Sequence, residues 1–224
     1  MHVGSGSNWR LGSVAVLFFA LTSLGRGADI KAIAGAIDAR YNHLKSLEAQ
    51  FTELYRGSGM ERTESGTLWL KKPGKMRWEY RSPIEKLFVS DGRDAWFYVP
   101  TDRQARRMPA KKLDDIRSPL AFLLGKTKLE KELAGLSLAS DISPVEPGDI
   151  VLRGIPKAMA DRVNEIVLEV TPSSQIVRIQ IHSVDGSTTE YRFTDQKEDL
   201  AVSDAKFAFK APAGTETIEG DLGQ

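Results

Sequence analysis

Two hydrophobic periodicities follow one another along the chain, and each predicts a different element. Apolar side chains first recur at every third or fourth position, behind an N-cap candidate at Asp29: Ile30, Ile33, Ile37, Tyr41 and Leu44. The period then changes to two, and one face of this segment consists of Leu47, Ala49, Phe51, Glu53 and Tyr55. The sequence therefore predicts an amphipathic helix followed at once by a β-strand.

Strand signals continue in two series. The first reaches residue 100, and its connections are Gly57-Ser58-Gly59, Lys72-Pro73-Gly74 and the hairpin signal Asp91-Gly92. The second runs from residue 148 to residue 194, with turn signals at residues 172–174 and 185–186. Because neither series alternates with long helices, we expect one antiparallel sheet rather than a parallel one.

One helical interruption separates the two series, at residues 118–136, SPLAFLLGKTKLEKELAGL. Ser118 is an N-cap candidate with Pro119 at the first helical position, and Gly125 can end the helix. A second amphipathic segment follows, with apolar positions at Leu129 and Leu133. The sequence therefore predicts a helical pair in the middle of the chain.

Together these elements predict a mainly β fold of the α+β class. The helices have only one apolar partner, the sheet, so we expect an unclosed antiparallel β half-barrel with an N-terminal helix and a mid-chain helical lid over an apolar cavity. Met76, Trp78 and Tyr80 alternate with Arg77 and Glu79, which places the bulky side chains on the inside. That pattern suits an ordinary packed core as well as a cavity lining, and both interpretations stay open.

The N-terminus, residues 1–27, is interpreted as a cleaved signal peptide. Its apolar run at residues 11–24 has the length of a signal-peptide core, whereas a spanning helix needs roughly 20 residues. Arg10 precedes the run, and small residues occupy the cleavage positions before Ala28. We expect residues 28–224 to form a single exported domain, with an uncleaved anchor helix as the alternative.

Composition and charge narrow the class of partner. The chain is 41% apolar and 27% charged, as is ordinary for a globular protein. Removing residues 1–27 takes Arg10 and Arg26 from the 31 basic residues and none from the 30 acidic ones, so the exported chain is close to neutral. Such a chain has no overall field to hold nucleic acid. Without cysteine it also has no disulfide, no thiolate site and no attachment point for a lipid.

The stretch 103–112, RQARRMPAKK, holds five cations in ten positions. No aromatic residue is interleaved, which disfavours binding to single-stranded nucleic acid. We interpret it as a solvated hairpin edge that its charge protects from the addition of another strand. Attraction to an anionic membrane surface or a partner protein is the alternative.

No catalytic or metal-binding constellation emerges from the sequence. His2, His43 and His182 are too far apart for ligand spacing. The tripeptide GKT at residues 125–127 lacks the glycine that a phosphate-binding loop needs where Leu120 stands. We therefore expect no enzyme activity, no metal and no cofactor.

The segment 64–105, ESGTLWLKKPGKMRWEYRSPIEKLFVSDGRDAWFYVPTDRQA, carries an ordered set of motifs. They are a G-x-L-W-x-K-[KR]-P turn, an aromatic strand ending in x-x-P, then V-S-D-G and W-F-Y. With SPLAFLLG at residues 118–125 and DAKFAFKAPAG at residues 204–214, the chain closely resembles the LolA-like family, the periplasmic carriers of outer-membrane lipoproteins in the Lol pathway.

The resemblance implies an unclosed barrel whose apolar cavity shelters the acyl chains of a triacylated lipoprotein in the periplasm. It implies loading by an inner-membrane ABC-type lipoprotein exporter and unloading to an outer-membrane lipoprotein receptor, with a monomer as the expected carrier. Carried over by alignment, the expected acyl-chain-binding residues are Tyr41, Met76, Trp78, Leu120 and Leu123. A periplasmic module that senses lipid or lipoprotein without transporting it is the alternative. A fused signalling domain would favour that alternative, and we expect none beyond the last motif.

Lys72 departs from the family pattern. Better-known members have at this position an arginine that hydrogen-bonds the lid helices in the closed state. Lysine offers three donors on a point charge rather than a planar fork. A lid latch and a solvated turn residue are therefore both open interpretations of Lys72.

Overall fold

The computed structural model describes residues 1, 29–112 and 128–220, and more than half of these belong to one sheet. Two α-helices are described, α1 (Ile30–His43) and α2 (Leu129–Glu132). The first six strands are β1 (Ser46–Gly57), β2 (Met60–Lys71), β3 (Lys75–Ser82), β4 (Lys86–Asp91), β5 (Asp94–Val99) and β6 (Gln104–Pro109). The other six are β7 (Leu133–Leu138), β8 (Ile150–Pro156), β9 (Val163–Val170), β10 (Ile176–Ser183), β11 (Thr188–Glu198) and β12 (Glu216–Glu219). Short 3-10 helices span Pro100–Asp102, Lys157–Met159 and Asp204–Phe207.

All twelve described strands form one unclosed sheet, in the order β12-β6-β5-β4-β3-β2-β1-β11-β10-β9-β8-β7. The chain extends the sheet outward from β1 to β6, then returns through β7 to β11, which pairs with β1. Every pairing is antiparallel except that of β12 with β6. The predicted mainly β fold, an unclosed antiparallel half-barrel with an N-terminal helix, is confirmed.

Helix α1 packs on one face of this sheet and begins at the predicted cap. Asp29 Oδ1 accepts a hydrogen bond from the backbone N–H of Lys31 at 3.0 Å, which satisfies a donor left free at the helix start. Three side chains form the buried stripe of the helix: Ala34, Ile37 and Tyr41. The Tyr41 hydroxyl accepts a hydrogen bond at 2.9 Å from the backbone N–H of Ile176 in β10. A polar contact therefore joins α1 to the sheet in addition to packing.

The face that meets α1, called the inner face below, carries the main apolar core. Alternate residues of each strand point to it, as the period of two requires. Its fully buried leucines and isoleucines come from both halves of the sheet: Leu47, Leu68, Leu152, Ile166 and Leu168. Because burial of one such side chain contributes about 1.5–3 kcal/mol, this core holds the two halves together.

The C-terminal segment, residues 199–220, crosses the opposite, outer face of the sheet. Asp204 forms ion pairs at 2.7 and 2.6 Å with lysines on either side of the β2–β3 turn, and these hydrogen bonds hold the pKa of its carboxyl at about 2. Phe209 then packs on Trp96 and Tyr98 of β5, at 5.3 and 5.5 Å between ring centroids. Aromatic residues of the outer face are therefore covered by the chain itself.

The end of this segment corrects our interpretation of the basic stretch 103–112. β12 pairs in parallel with β6 and places Glu219 beside Arg107, whose Nη1 lies 3.2 Å from a carboxylate oxygen of Glu219. An acidic strand therefore covers this edge, so the edge is not protected by its own charge alone. The interpretation was wrong because a four-residue strand has too short a pattern to be recognised in sequence.

The predicted helical pair at residues 118–136 is corrected at its C-terminal end. α2 has only four residues, and Leu133 begins β7, which pairs with β8. Leu129 and Leu133 are both buried in the main core, although they belong to different elements. The first helix of the predicted pair lies outside the described residues.

A buried ion network lies on the outer face of β9, β10 and β11. Arg178 Nη2 is 2.6 Å from Glu169 Oε2, and Nη1 is 3.8 Å from a carboxylate oxygen of Glu190. Glu169 also accepts a hydrogen bond from the backbone N–H of Val145 at 2.7 Å. The three charged side chains are buried, so they fix the loop that carries Val145 onto the sheet.

Candidate functional site

Five aromatic rings form one cluster on the inner face, contributed by β1, β3 and β11: Phe51, Trp78, Tyr80, Tyr191 and Phe193. The Phe51 ring centroid lies 4.8 Å from that of Trp78 and 4.9 Å from that of Tyr80, both edge to face. Tyr191 and Phe193 lie 5.8 and 6.3 Å from Trp78. In such geometry a ring pair adds about 0.5–1.5 kcal/mol to the energy of burial.

A glycine beside this cluster lets two strands approach closely. Gly66 of β2 stands opposite Phe51 on one side and Tyr80 on the other, next to a register irregularity at Ser65. A Cβ at Gly66 would come within 1.8 Å of the backbone carbonyl oxygen of Glu79. Glycine is therefore required here by the close approach of β3.

Two of the five predicted acyl-binding residues lie together in this region. Trp78 is at the centre of the cluster and 3% exposed, while Met76 is half-buried and packs against the same core. The sequence correctly placed both on the inside. Leu120 and Leu123 lie outside the described residues, and the binding role of all five stays a prediction.

Tyr41, also predicted to bind acyl chains, faces the sheet from α1 and is fully buried. Burial raises the pKa of its hydroxyl above the usual value of 10.0, and the hydrogen bond from the Ile176 N–H only partly opposes this. The neutral Tyr41 side chain thus adds apolar surface to the core and also anchors α1 to the sheet.

Lys72 contacts the end of α1. Its Nζ donates hydrogen bonds to the backbone carbonyl oxygens of Tyr41 and Asn42, the second at 3.0 Å. These carbonyls belong to the last turn of the helix, where a cation is favourable because the helix dipole ends negative. The turn at residues 72–74 is therefore tied to α1, and the role of Lys72 as a lid latch stays a prediction.

A set of polar side chains at one end of the aromatic cluster includes two of its tyrosines and is called the polar band below: Glu53, Glu64, Tyr80, Lys86 and Tyr191. Glu53 stands directly opposite Glu64 on β2 and Tyr191 on β11. Tyr80 Oη donates to Glu53 Oε2 at 2.8 Å, and Lys86 Nζ donates to Glu64 at 2.6 Å. Although they sit on the inner face, Glu53 and Glu64 are only 8% and 4% exposed.

Loss of water on burial raises the pKa of Glu53, the hydrogen bond from Tyr80 opposes the shift, and the charge of Glu64 reinforces it. One member of the polar band could be recognised in sequence, since Glu53 shares its phase with Phe51 and Ala49. The other members come from β2, β3, β4 and β11, and only the sheet register brings them together.

We expect Glu53→Gln to raise the free energy of unfolding at about pH 7.5. The folded-state pKa of Glu53 lies above the ordinary 4.5, so ionisation costs more in the folded than in the unfolded chain. The stability contributed by protonated Glu53 is therefore lost as the pH rises above 4.5 and the carboxyl ionises. Glutamine stays neutral, so the variant avoids that loss. Its side-chain oxygen still accepts the hydrogen bond from the Tyr80 hydroxyl. Urea unfolding should show a stabilisation that shrinks towards pH 4. Glu61→Gln, at an exposed position of β2, is the control, and equal stabilisation at both pH values would contradict the assignment.

Within residues 29–112 and 128–220, no three His, Asp or Glu side chains lie close enough to hold a metal ion. In the same ranges no helix has the length and apolarity to cross a bilayer. The candidate site is the aromatic cluster on the inner face together with the polar band.

Comparison with protein families gives one match that spans more than half of the chain. Residues 42–210 match the family model described as outer membrane lipoprotein carrier protein LolA. Two relatives, both named outer-membrane lipoprotein carrier protein, come from Chromobacterium violaceum and Nitrosospira multiformis. The first is 29% identical over 210 residues, covering 92% of this chain and 98% of the relative. The second is 28% identical over 211 residues, covering 92% and 95%.

Among solved structures, an uncharacterized conserved protein from Thermus thermophilus has a similar fold. Its TM-score is 0.55 at 11% sequence identity, and the match covers 85% of this chain and 98% of that one. At this identity the similarity shows the fold alone.

Proposed function

Since the chain belongs to the LolA family of outer membrane lipoprotein carrier proteins, we propose that it is a periplasmic lipoprotein chaperone. It shields the acyl chains of lipoproteins released from the inner membrane and delivers them to the outer membrane. Relatives that bear the carrier name and match nearly the whole chain support this role. Residues 1–27 act as the cleaved signal peptide, and residues 28–224 form the carrier domain.

The observation that carries the proposal is the aromatic cluster on the inner face of an unclosed sheet. The end strands β12 and β7 do not pair, so the sheet does not close around its core. When an acyl chain enters between α1 and the sheet, contacts among the aromatic rings are replaced by contacts of the rings with methylene groups. Little dispersion energy is therefore lost. Met76 beside the cluster adds a flexible thioether that adapts to irregular shapes.

Magnitudes show why a lipoprotein needs such shelter. Each methylene kept from water is worth roughly 0.8 kcal/mol, so three exposed acyl chains would cost on the order of tens of kcal/mol. In the proposed complex the chains lie against Tyr41, Met76 and Trp78. Leu120 and Leu123, the other two residues expected from the family resemblance, are proposed to bind the acyl chains as well.

Loading and release rely on partners in this proposal. The sequence has no phosphate-binding loop motif to drive a cycle. An ABC-type exporter of the inner membrane supplies the energy for loading, and an outer-membrane receptor that binds more tightly takes the cargo. The carrier alternates between a closed state and a lipid-filled state and catalyses no reaction.

Capture of lipoprotein tests the proposal directly. The protein is incubated with spheroplasts of a diderm bacterium that makes triacylated lipoproteins, recovered from the supernatant, and measured by native mass spectrometry. We expect an equimolar complex with a lipoprotein that detergent dissociates. If the protein stays free of ligand and releases no lipoprotein, the inner face is a packed core and the sensing module becomes the better explanation.

We expect Lys72→Leu to slow the transfer of captured lipoprotein and to lower the free energy of unfolding by about 1–3 kcal/mol. The change removes a charged donor from the last carbonyls of α1, so the helix end is held less firmly. Lys72→Arg keeps charged donors and should transfer normally. Transfer of labelled lipoprotein from the purified complex to outer-membrane vesicles is the measurement.

The matched control for Lys72→Leu is Lys45→Leu, a change of the same kind at an exposed residue near the same end of α1. It should transfer normally. Normal transfer by Lys72→Leu as well would show that Lys72 only supports its turn.

A further inference from the structure

The polar band marks one end of the apolar inner face. Along β1 the inner-face residues are Leu47, Ala49 and Phe51 before Glu53, and along β2 they are Leu70, Leu68 and Gly66 before Glu64. β3 follows the same order, with Met76 and Trp78 before Tyr80. Three neighbouring strands therefore change from apolar to polar within one residue pair of each other.

The length of the apolar run is defined by the strand geometry. From Leu47 to Glu53 the strand advances about 20 Å, at about 3.3 Å per residue. Carbon–carbon bonds of about 1.5 Å at tetrahedral angles give an extended acyl chain about 1.3 Å per methylene. A chain that lies along β1 and stops at Glu53 would therefore have about 16 carbons.

The polar band excludes apolar groups because its charged side chains are already paired inside the protein. Glu64 is held by Lys86 at 2.6 Å, and the ammonium of Lys86 also lies 4.5 Å from the Tyr80 ring centroid. Glu53 is held by the Tyr80 hydroxyl at 2.8 Å. An acyl chain pushed past this point would break these contacts and leave buried charges without partners, which is strongly unfavourable.

A site for a cationic head group is the other chemistry that two facing carboxylates suggest. Here the carboxylates already have their partners, Lys86 and Arg62 for Glu64 and Tyr80 for Glu53. A cationic ligand would have to displace Lys86, an internal partner that is tethered in place. The geometry therefore favours a barrier over a binding site.

Resting on the proposed carrier function, we propose that the polar band is the stop that limits how far an acyl chain extends along the inner face. It makes Glu53 a specificity-determining residue, which sets the longest chain that the protein binds well. Chains up to this length gain affinity with each methylene, and longer ones do not.

Competition binding with saturated free fatty acids of 12, 14, 16, 18 and 20 carbons tests this, with displacement of a fluorescent fatty acid as the readout. The protein expressed from its full-length gene is compared with Glu53→Leu and with Glu53→Gln, which keeps a polar acceptor. For the wild type and Glu53→Gln, affinity should rise and then level off at the same length. For Glu53→Leu it should keep rising beyond that length, by up to about fourfold per added methylene.

A second variant keeps the proposal testable if Glu53→Leu alone fails to fold. Glu53→Leu/Tyr80→Phe removes both partners of the hydrogen bond and so leaves no buried hydroxyl from that pair unsatisfied. It should show the same extended length dependence as Glu53→Leu.

Three outcomes are distinguishable. A length limit that moves only in the leucine variants supports the stop. The same limit in all four proteins, each of which still captures lipoprotein, overturns the stop and leaves the carrier function intact. A wild type that binds neither fatty acids nor lipoprotein overturns both.

Discussion

Replacing Trp78 with alanine should lower the free energy of unfolding by about 3–5 kcal/mol and abolish lipoprotein capture. Trp78 is 3% exposed and contacts Phe51, Tyr191 and Phe193. Its removal leaves a cavity at the centre of the aromatic cluster and takes away a ring against which we propose that the acyl chain lies. Urea unfolding measures the first effect, and release of lipoprotein from spheroplasts, at a temperature where the variant stays folded, measures the second.

The matched control for this prediction is Trp96→Ala, a change of the same kind on the outer face. Trp96 is half-buried beneath Phe209 and beside Arg107, away from α1 and the inner face. We expect a smaller loss of stability and normal capture. If both tryptophan variants captured lipoprotein normally, the aromatic cluster would be structural and the carrier site would lie elsewhere.

Replacing Arg178 with methionine should also cost about 3–5 kcal/mol in the free energy of unfolding, but for a different reason. The change leaves Glu169, which is completely buried, without the cation that lies 2.6 Å from its carboxylate. The backbone N–H of Val145 remains as a partner at 2.7 Å and cannot neutralise the charge. Thermal and urea unfolding measure the loss.

The double variant Arg178→Met/Glu169→Gln separates the charge effect from lost packing. It removes the stranded charge, so it should recover a large part of the stability lost in Arg178→Met. Because the network lies on the outer face, folded samples of both variants should capture lipoprotein normally. No recovery in the double variant would show that the guanidinium acts by packing, and impaired capture would place the outer face in the carrier mechanism.

Local pattern was sufficient for most of the fold. The spacing of Ile30, Ile37 and Tyr41, with Asp29 before them, predicted α1 to within a residue. The change of period at Leu47 and the glycine-containing turns predicted the strands that surround them. These features could be recognised because each depends on residues that are close in sequence, through capping, turn conformation and side-chain alternation.

The local sequence pattern gave wrong predictions for two short elements. Leu129 and Leu133 have helical spacing, yet β7 begins at Leu133 because pairing with β8 outweighs the preference of a short helix that has few hydrogen bonds of its own. β12 was missed because its four residues gain their structure from the exposed edge of β6. In both cases a partner strand that is distant in sequence determines the outcome.

By itself, the sequence determined the number and order of most elements, the inward phase of Met76 and Trp78, and the resemblance that the family match confirmed. Only the tertiary structure decided that Trp78 meets rings from β1 and β11, that Lys72 holds the end of α1, and that Glu53 faces Glu64 on the inner face. The physical reason is the distance along the sequence over which each effect acts. Periodicity and turn residues act within a few positions, whereas the sheet register joins residues more than a hundred positions apart, such as Glu53 and Tyr191.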